Sequence, residues 1–177
     1  MTTQMEVAFL GSGCFWCLEA VYQQARGVTS VESGYMGGQP ADPAGASGQS
    51  GTSGHAQVVR LEFDAAVISY RDLLEVFFTL YDPTTLNRQG KDVGSQYRSV
   101  IFTTTGQQAE VARHVAAAMA AVWDAPIVTG IAPASSWYKA EAAQQNYCST
   151  HPDQSYCALV VEPKVIKFRQ IFARHAR

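Results

Sequence analysis

"MEVAFLGSGCFWCLEAVYQQARG", Met5 to Gly27, holds a strand, a turn and a helix in one stretch. "MEVAFLGSG" is a short apolar run ending in a glycine turn, and after it Phe15, Leu18, Val21 and Tyr22 recur at helical spacing as far as Gly27. Working outward, "VTSVESGYMGG", Val28 to Gly38, has strand character, and "HAQVVRLEFD", His55 to Asp64, is a second strand rich in β-branched residues. "SYRDLLEVFFTLYD" opens on Ser69, a good N-cap, and predicts a helix; "QYRSVIFTTT" predicts another strand. The order is β-α-β-β-α-β, which implies an α+β fold with the two-layer split plait of ferredoxin-like proteins. Beyond it, "GQQAEVARHVAAAMAAVW" predicts an alanine-rich amphipathic helix and "PIVTGIAP" a short strand. "YKAEAAQQNYCST" predicts a helical turn or two, and "EPKVIKFRQIFARHAR" a basic C-terminal helix.

A chain of 177 residues suits one compact domain, residues 1–177, and a single active surface. Its net charge of -2 lacks the basic footprint of a nucleic-acid binder and favours a small or neutral ligand. The start "MTTQMEVAFLGSG" has neither the basic region nor the apolar core of a signal peptide, and no apolar run reaches membrane-spanning length, so a cytoplasmic monomer is expected. In a reducing compartment Cys14, Cys17, Cys148 and Cys157 are expected as reactive or buried thiols rather than as permanent bridges. The glycine-rich stretch Gly37 to Gly54 has no aromatic residue and is long for a structureless loop, so it is expected to border the site or to be mobile.

"GSGCFWCLEA" carries the chemistry. Cys14 sits where a strand gives way to a helix, and the unpaired N–H groups and dipole of a helix start favour a thiolate. Cys17 lies one turn later, close enough to pair with it as in Cys-x-x-Cys redox motifs. Phe15 and Trp16 supply apolar walls for a ligand beside a nucleophile. Competing readings are that all four pack into the core, that Cys14 and Cys17 form half a zinc site with Cys148, Cys157 or His151, or that a histidine makes Cys14 a hydrolase nucleophile. The spacings do not match a zinc knuckle or ribbon.

Five segments in register decide among these: "GCFWCLEA", "SGYMGG", "SGHAQVV", "YDPTTLNRQGKDVGSQYRSVIF" and "PKVIKFRQ". Together they resemble the peptide methionine sulfoxide reductase A family over nearly the whole chain. The resemblance implies a ferredoxin-like core and reduction of the S epimer of methionine sulfoxide, with no bound cofactor. The reductant is an external dithiol, thioredoxin or dithiothreitol in the assay. It makes Cys14 the nucleophile and places the substrate methyl group against Phe15 and Trp16. It assigns Tyr35 and Tyr97 to the sulfoxide oxygen and Asp92 to the active site, with Gly54 and His55 in the substrate-binding segment. Cys157 is implied as the resolving cysteine and Cys17 is the close-range alternative, while Cys148 is left as a relay or inert. Expected partners are thioredoxin and oxidised proteins, peptides or small methyl sulfoxides.

The departures from the family pattern matter. The family's Gly-His-Ala-Glu is here Gly54-His55-Ala56-Gln57, so an amide stands where the resemblance implies a proton-donating carboxyl. An amide donates a hydrogen bond and transfers no proton near neutral pH, and such acid assistance typically contributes about 100 to 10,000-fold. Tyr81, Lys91, Ala143 and Gln144 also differ from the usual histidine, asparagine and tyrosine-histidine pair. Two functions follow: an active reductase, with its usual or an altered rate and preference, or an impaired sulfoxide-binding or redox-sensing protein of the same fold.

Overall fold

The computed structural model describes residues 3–38 and 54–177. Strand β1 (Met5–Gly11) leads into helix α1 (Phe15–Tyr22), then β2 (Val28–Met36), β3 (Ala56–Asp64) and helix α2 (Tyr70–Leu80). A small hairpin of β4 (Arg88–Gln89) and β5 (Asp92–Val93) precedes β6 (Val100–Thr103). Strands β6, β1, β3 and β2 lie side by side in that order, each antiparallel to its neighbour. This is the expected plait: β3 is inserted between the two strands that α1 connects.

The alternation of β3 explains why both faces of the sheet are covered. Val59, Leu61 and Phe63 join Ala8 and Leu10 of β1 beneath α1 and α2, where Leu18, Val21, Leu73 and Phe77 meet them. The intervening Val58 turns to the other face with Phe9, Val100 and Phe102, where the ring of Trp137 lies 5.4 Å from that of Phe9. Helix α2 begins where Ser69 predicts. The Ser69 hydroxyl accepts the Asp72 N–H at 3.0 Å, and the Asp72 carboxylate accepts the Ser69 N–H at 3.1 Å.

After the plait, helix α3 (Gly106–Met119) crosses to β7 (Gly130–Pro133), which runs parallel to β6. The chain then reaches the far edge, where β8 (Tyr138–Lys139) pairs with β2, completing the order β7-β6-β1-β3-β2-β8. The sequence predicts helical turns from Tyr138 onward; the structure gives this edge strand, a 3-10 turn at Ala142–Gln144 and the short helix α4 (Tyr147–Thr150). A long-range contact sets the difference. A Cβ on Gly34 would stand 2.5 Å from the Trp137 ring and from the Tyr138 carbonyl, so β8 docks only against a glycine.

A π turn at Cys157–Val161 runs into helix α5 (Glu162–Ile171). A disulfide joins Cys148 to Cys157, a bond the sequence reading did not expect. It ties α4 to the π turn, whose cysteines have Cα atoms 5.4 Å apart, within the reach of one bridge. The last residues return to α1: the Arg26 N–H donates to the His175 carbonyl at 2.7 Å and the Arg177 N–H to Gln24 at 2.8 Å. Among the described residues no helix is long and apolar enough to cross a membrane. Most of the glycine-rich loop, residues 39–53, lies outside the described residues.

Candidate active site

Ser12 and Gly13 carry the chain from β1 into α1. Gly13 has a φ of 77°, and a Cβ on it would stand 2.8 Å from Gln89. Both the left-handed turn and the close approach of the β4–β5 hairpin therefore require glycine. The Gly13 N–H donates to the Tyr97 carbonyl at 3.0 Å. The Gln89 amide donates to Ser12 Oγ and to the Asp82 carbonyl, and its oxygen accepts the Asp82 N–H. These bonds pin the hairpin bearing Asp92, and the following 3-10 turn bearing Tyr97, against the start of α1.

Cys14 is the N-cap of α1, in extended conformation, and its carbonyl accepts the Cys17 N–H at 3.1 Å. A cavity of about 250 Å³ opens over it, lined also by Phe15, Trp16, Asp92, Tyr97, Gln144 and Tyr156. Five of the residues singled out from the sequence thus meet at one place: Cys14, Phe15, Trp16, Asp92 and Tyr97. The helix start does not by itself give a thiolate. Burial pushes the Cys14 thiol well above its usual range, Cys17 and Asp92 add to this, and the Trp16 N–H and the Tyr156 hydroxyl only partly oppose it. Cys14 therefore rests as a thiol. The Tyr97 phenol is raised too, by burial first and then by Cys14 and Asp92, so it keeps its proton.

Trp16 is held on three sides. Its indole N–H donates to Gln144 Oε1 at 3.1 Å, Tyr147 stacks on its face with centroids 3.8 Å apart, and Tyr156 meets it edge-on at 5.9 Å. Gln144 stands out in the sequence only as a departure from the family pattern, and Tyr147 and Tyr156 escape sequence reasoning. The signal for the two tyrosines was the repeated Tyr-Cys pair, "NYCST" and "SYCAL", because each precedes one half of the disulfide.

Tyr35 and Gln57 both contact Phe15. They face each other in the β2–β3 ladder, the Tyr35 ring lies 5.6 Å from that of Phe15, and Gln57 Oε1 accepts the Phe15 N–H at 3.1 Å. Gln57 thus uses its oxygen as an acceptor to fix the first residue of α1. Gly54 and His55 occupy the entry to β3: Arg98 donates to the Gly54 carbonyl at 3.2 Å, and the buried His55 ring meets Tyr138 edge-on.

The four cysteines separate into two kinds. Cys157, implied as the resolving cysteine, is bonded to Cys148, so its sulfur is not a free thiol in this structure. Cys14 and Cys17 are free. Burial pushes the Cys17 thiol up to about 11, opposed by the Tyr156 hydroxyl and the charge of Lys164. Tyr81 donates to the Cys17 carbonyl at 3.0 Å, which gives that departure from the family pattern a place beneath the motif. Among the described residues no group of His, Cys, Asp and Glu is arranged to hold a metal ion.

The family profile described as peptide methionine sulfoxide reductase matches residues 6–176. The chain belongs to the peptide methionine sulfoxide reductase family. A peptide methionine sulfoxide reductase MsrA of Ralstonia nicotianae is 53% identical over 175 residues, 96% of this chain and 92% of its own. The structure of Mxr1 from Saccharomyces cerevisiae in reduced form superimposes with a TM-score of 0.80 at 28% identity, covering 87% of this chain and 90% of that one. Mxr1 in complex with Trx2 shares the fold, with a TM-score of 0.57 at 22% identity, covering 83% and 89%.

The activity of the chain is the reduction of methionine sulfoxide. In a reductase the arrangement has a direct chemical sense. The apolar surface of Phe15 and Trp16 suits a thioether, while the phenol of Tyr97 and the carboxyl group of Asp92, which line the same cavity, suit the polar S–O bond.

Proposed function

We propose that Cys14 reduces the S epimer of methionine sulfoxide, free or within peptides, by direct attack of its sulfur on the sulfoxide sulfur. The methyl group packs against Phe15 and Trp16, and the oxygen accepts from the phenols of Tyr97 and Tyr35. As the S–S interaction forms, the oxygen gains a proton and passes to Cys14, which becomes a sulfenic acid while the thioether departs. Tyr97, lining the cavity and holding its proton, supplies the hydrogen bond that stabilises charge on that oxygen. Cys17 then resolves the sulfenic acid, since it is the free thiol nearest in the chain to Cys14. A thioredoxin-type dithiol returns the resulting disulfide to thiols, in keeping with the solved complex of Mxr1 with Trx2.

One observation carries this reading: a single cavity that joins the Cys14 thiol to an aromatic wall and to Asp92 and Tyr97. The test is incubation with the separated epimers and dithiothreitol. Loss of the S epimer alone, abolished by Cys14→Ser, is expected. Turnover that survives Cys14→Ser, or that consumes the R epimer equally, would contradict it. On this reading the amide at Gln57 bears on rate and not on whether thiol chemistry occurs, which is supported by Cys14 and Tyr97 lining one cavity.

A further inference from the structure

Two cavities meet at one hydrogen bond. The cavity over Cys14 and a second, of about 530 Å³, that reaches Cys17 share two lining residues, Asp92 and Tyr156. Tyr156 donates its phenolic proton to Asp92 Oδ2 at 2.5 Å, and its oxygen stands 3.5 Å from Cys17 Sγ. With the O–H committed to the carboxylate, the phenol oxygen still offers lone pairs, so Cys17 S–H is the donor of the second contact. The three groups form a directed chain from thiol to phenol to carboxylate, of the kind in which each hydrogen bond polarises the next.

Cys17 needs such a chain. Only a thiolate attacks a sulfenic acid efficiently, and burial holds this sulfur in its protonated form at neutral pH. Lys164 assists by charge and accepts no proton, since its ammonium donates to the Leu80 carbonyl at 3.1 Å.

The geometry points to Tyr156 and Asp92 as a proton route that activates Cys17 for attack on the Cys14 sulfenic acid and delivers the same charge to the leaving oxygen. It rests on the Cys14 chemistry proposed above. Cys17 Sγ bonds to Cys14 Sγ as the Cys14 S–O bond breaks and its electron pair leaves with oxygen. The thiol proton moves to the Tyr156 oxygen while Tyr156 passes its own proton to Asp92. Asp92, which also lines the Cys14 cavity, hands that proton to the departing hydroxide as water. Cys17 is oxidised and the Cys14 sulfur reduced, and thiol plus sulfenic acid becomes disulfide plus water with no proton drawn from solvent. Tyr156 and Asp92 are then catalytic residues of the resolving step, separate from the phenols that hold the sulfoxide.

The experiment is a rapid-quench single turnover with methionine S-sulfoxide and no reductant. It quantifies methionine, the Cys14 sulfenic acid trapped by a cyclic 1,3-diketone, and the disulfide by peptide mass mapping. The natural sequence is expected to release methionine and then form a Cys14–Cys17 disulfide. Tyr156→Phe, which keeps the ring against Trp16, is expected to slow disulfide formation at least about tenfold relative to methionine release in the same sample, with trapped sulfenic acid accumulating. Asp92→Asn is expected to shift the same ratio. A ratio unchanged in both variants would overturn the proton route alone, and a first-formed disulfide from Cys14 to Cys148 or Cys157 would overturn it together with the resolving role of Cys17. Absence of methionine release from the natural sequence would instead overturn the Cys14 reading on which it rests.

Discussion

Gln57→Glu tests how much of the catalysis an amide at this position forgoes. The Gln57 oxygen already accepts the Phe15 N–H at 3.1 Å, and a carboxyl group accepts the same bond, so the start of α1 is preserved. What changes is that the second atom of the group becomes a titratable oxygen. Acid assistance typically contributes about 100 to 10,000-fold, and the Tyr97 phenol is proposed to hold the sulfoxide oxygen already, so the gain in first-turnover rate is expected near the lower limit, about 100-fold near pH 6. The position is only 4% exposed, and burial raises a carboxyl above its ordinary range. The gain therefore persists into mildly acidic pH and fades as the introduced group ionises, when its charge also disfavours a thiolate at Cys14. The same elevation gives an independent readout of burial. A raised acid contributes stability at low pH that is lost as pH rises through its folded value, about 1.4 kcal/mol for each unit of elevation. Rapid-quench methionine release between pH 5 and 9 and thermal unfolding over the same range measure both effects. If the unfolding data show the buried acid and the variant is no faster at any pH, the amide is not what limits this enzyme.

In the natural sequence, the raised Cys14 thiol predicts a first-turnover rate that climbs with pH and shows no plateau below about pH 9; a plateau near neutrality in the pH–rate profile would contradict it. Cys148→Ser opens a bridge spanning 9 residues and is expected to cost about 2.5 kcal/mol in urea unfolding. Because that bridge steadies Tyr147 and Tyr156 against Trp16, steady-state kinetics should show KM rising more than kcat falls, and a reversed split would argue against the aromatic wall. Glu19 is buried, accepts the Ser33 hydroxyl at 3.2 Å and the N–H groups of Asn146 and Tyr147, and burial raises its carboxyl. A raised acid supports folding below its ordinary range and loses that support as pH rises, so the melting temperature of Glu19→Gln relative to the natural sequence should increase from pH 4 to 8; a parallel pair of curves would refute the assignment.

The plait was legible because its signals are local. Ser69 and Asp72 lie three positions apart, and the alternation of Val58, Val59, Leu61 and Phe63 states which residues face which layer. The nucleophile and its aromatic wall were legible for the same reason: Cys14, Phe15 and Trp16 are contiguous. What escaped depends on contacts across the chain. Strand β8 has two residues, too few for any periodicity, and its docking is decided by the missing Cβ of Gly34. Gln144, Tyr147 and Tyr156 reach Trp16 from segments more than a hundred residues away, and no spacing rule announces them. The chemistry of an amide makes Gln57 a candidate donor, and only the position of Phe15 shows the oxygen already engaged as an acceptor. Cys157 was assigned from its place in the family pattern, whereas its pairing depends on where α4 comes to rest.

The ladder that joins β7, β6, β1, β3 and β2 is complete by Pro133, while the groups that orient Trp16 all come later in the chain. The scaffold and the supports of Trp16 are thus written in separate stretches of one polypeptide. Mutation can rewrite the turns between β8 and the π turn without renegotiating the ladder from β7 to β2, and Ala143 and Gln144 fall within them. Substrate preference in this protein is therefore open to drift at those few positions, while β8, the Cys148–Cys157 bridge and the buried Val161, Val165 and Phe168 tie the rest of the tail to the fold.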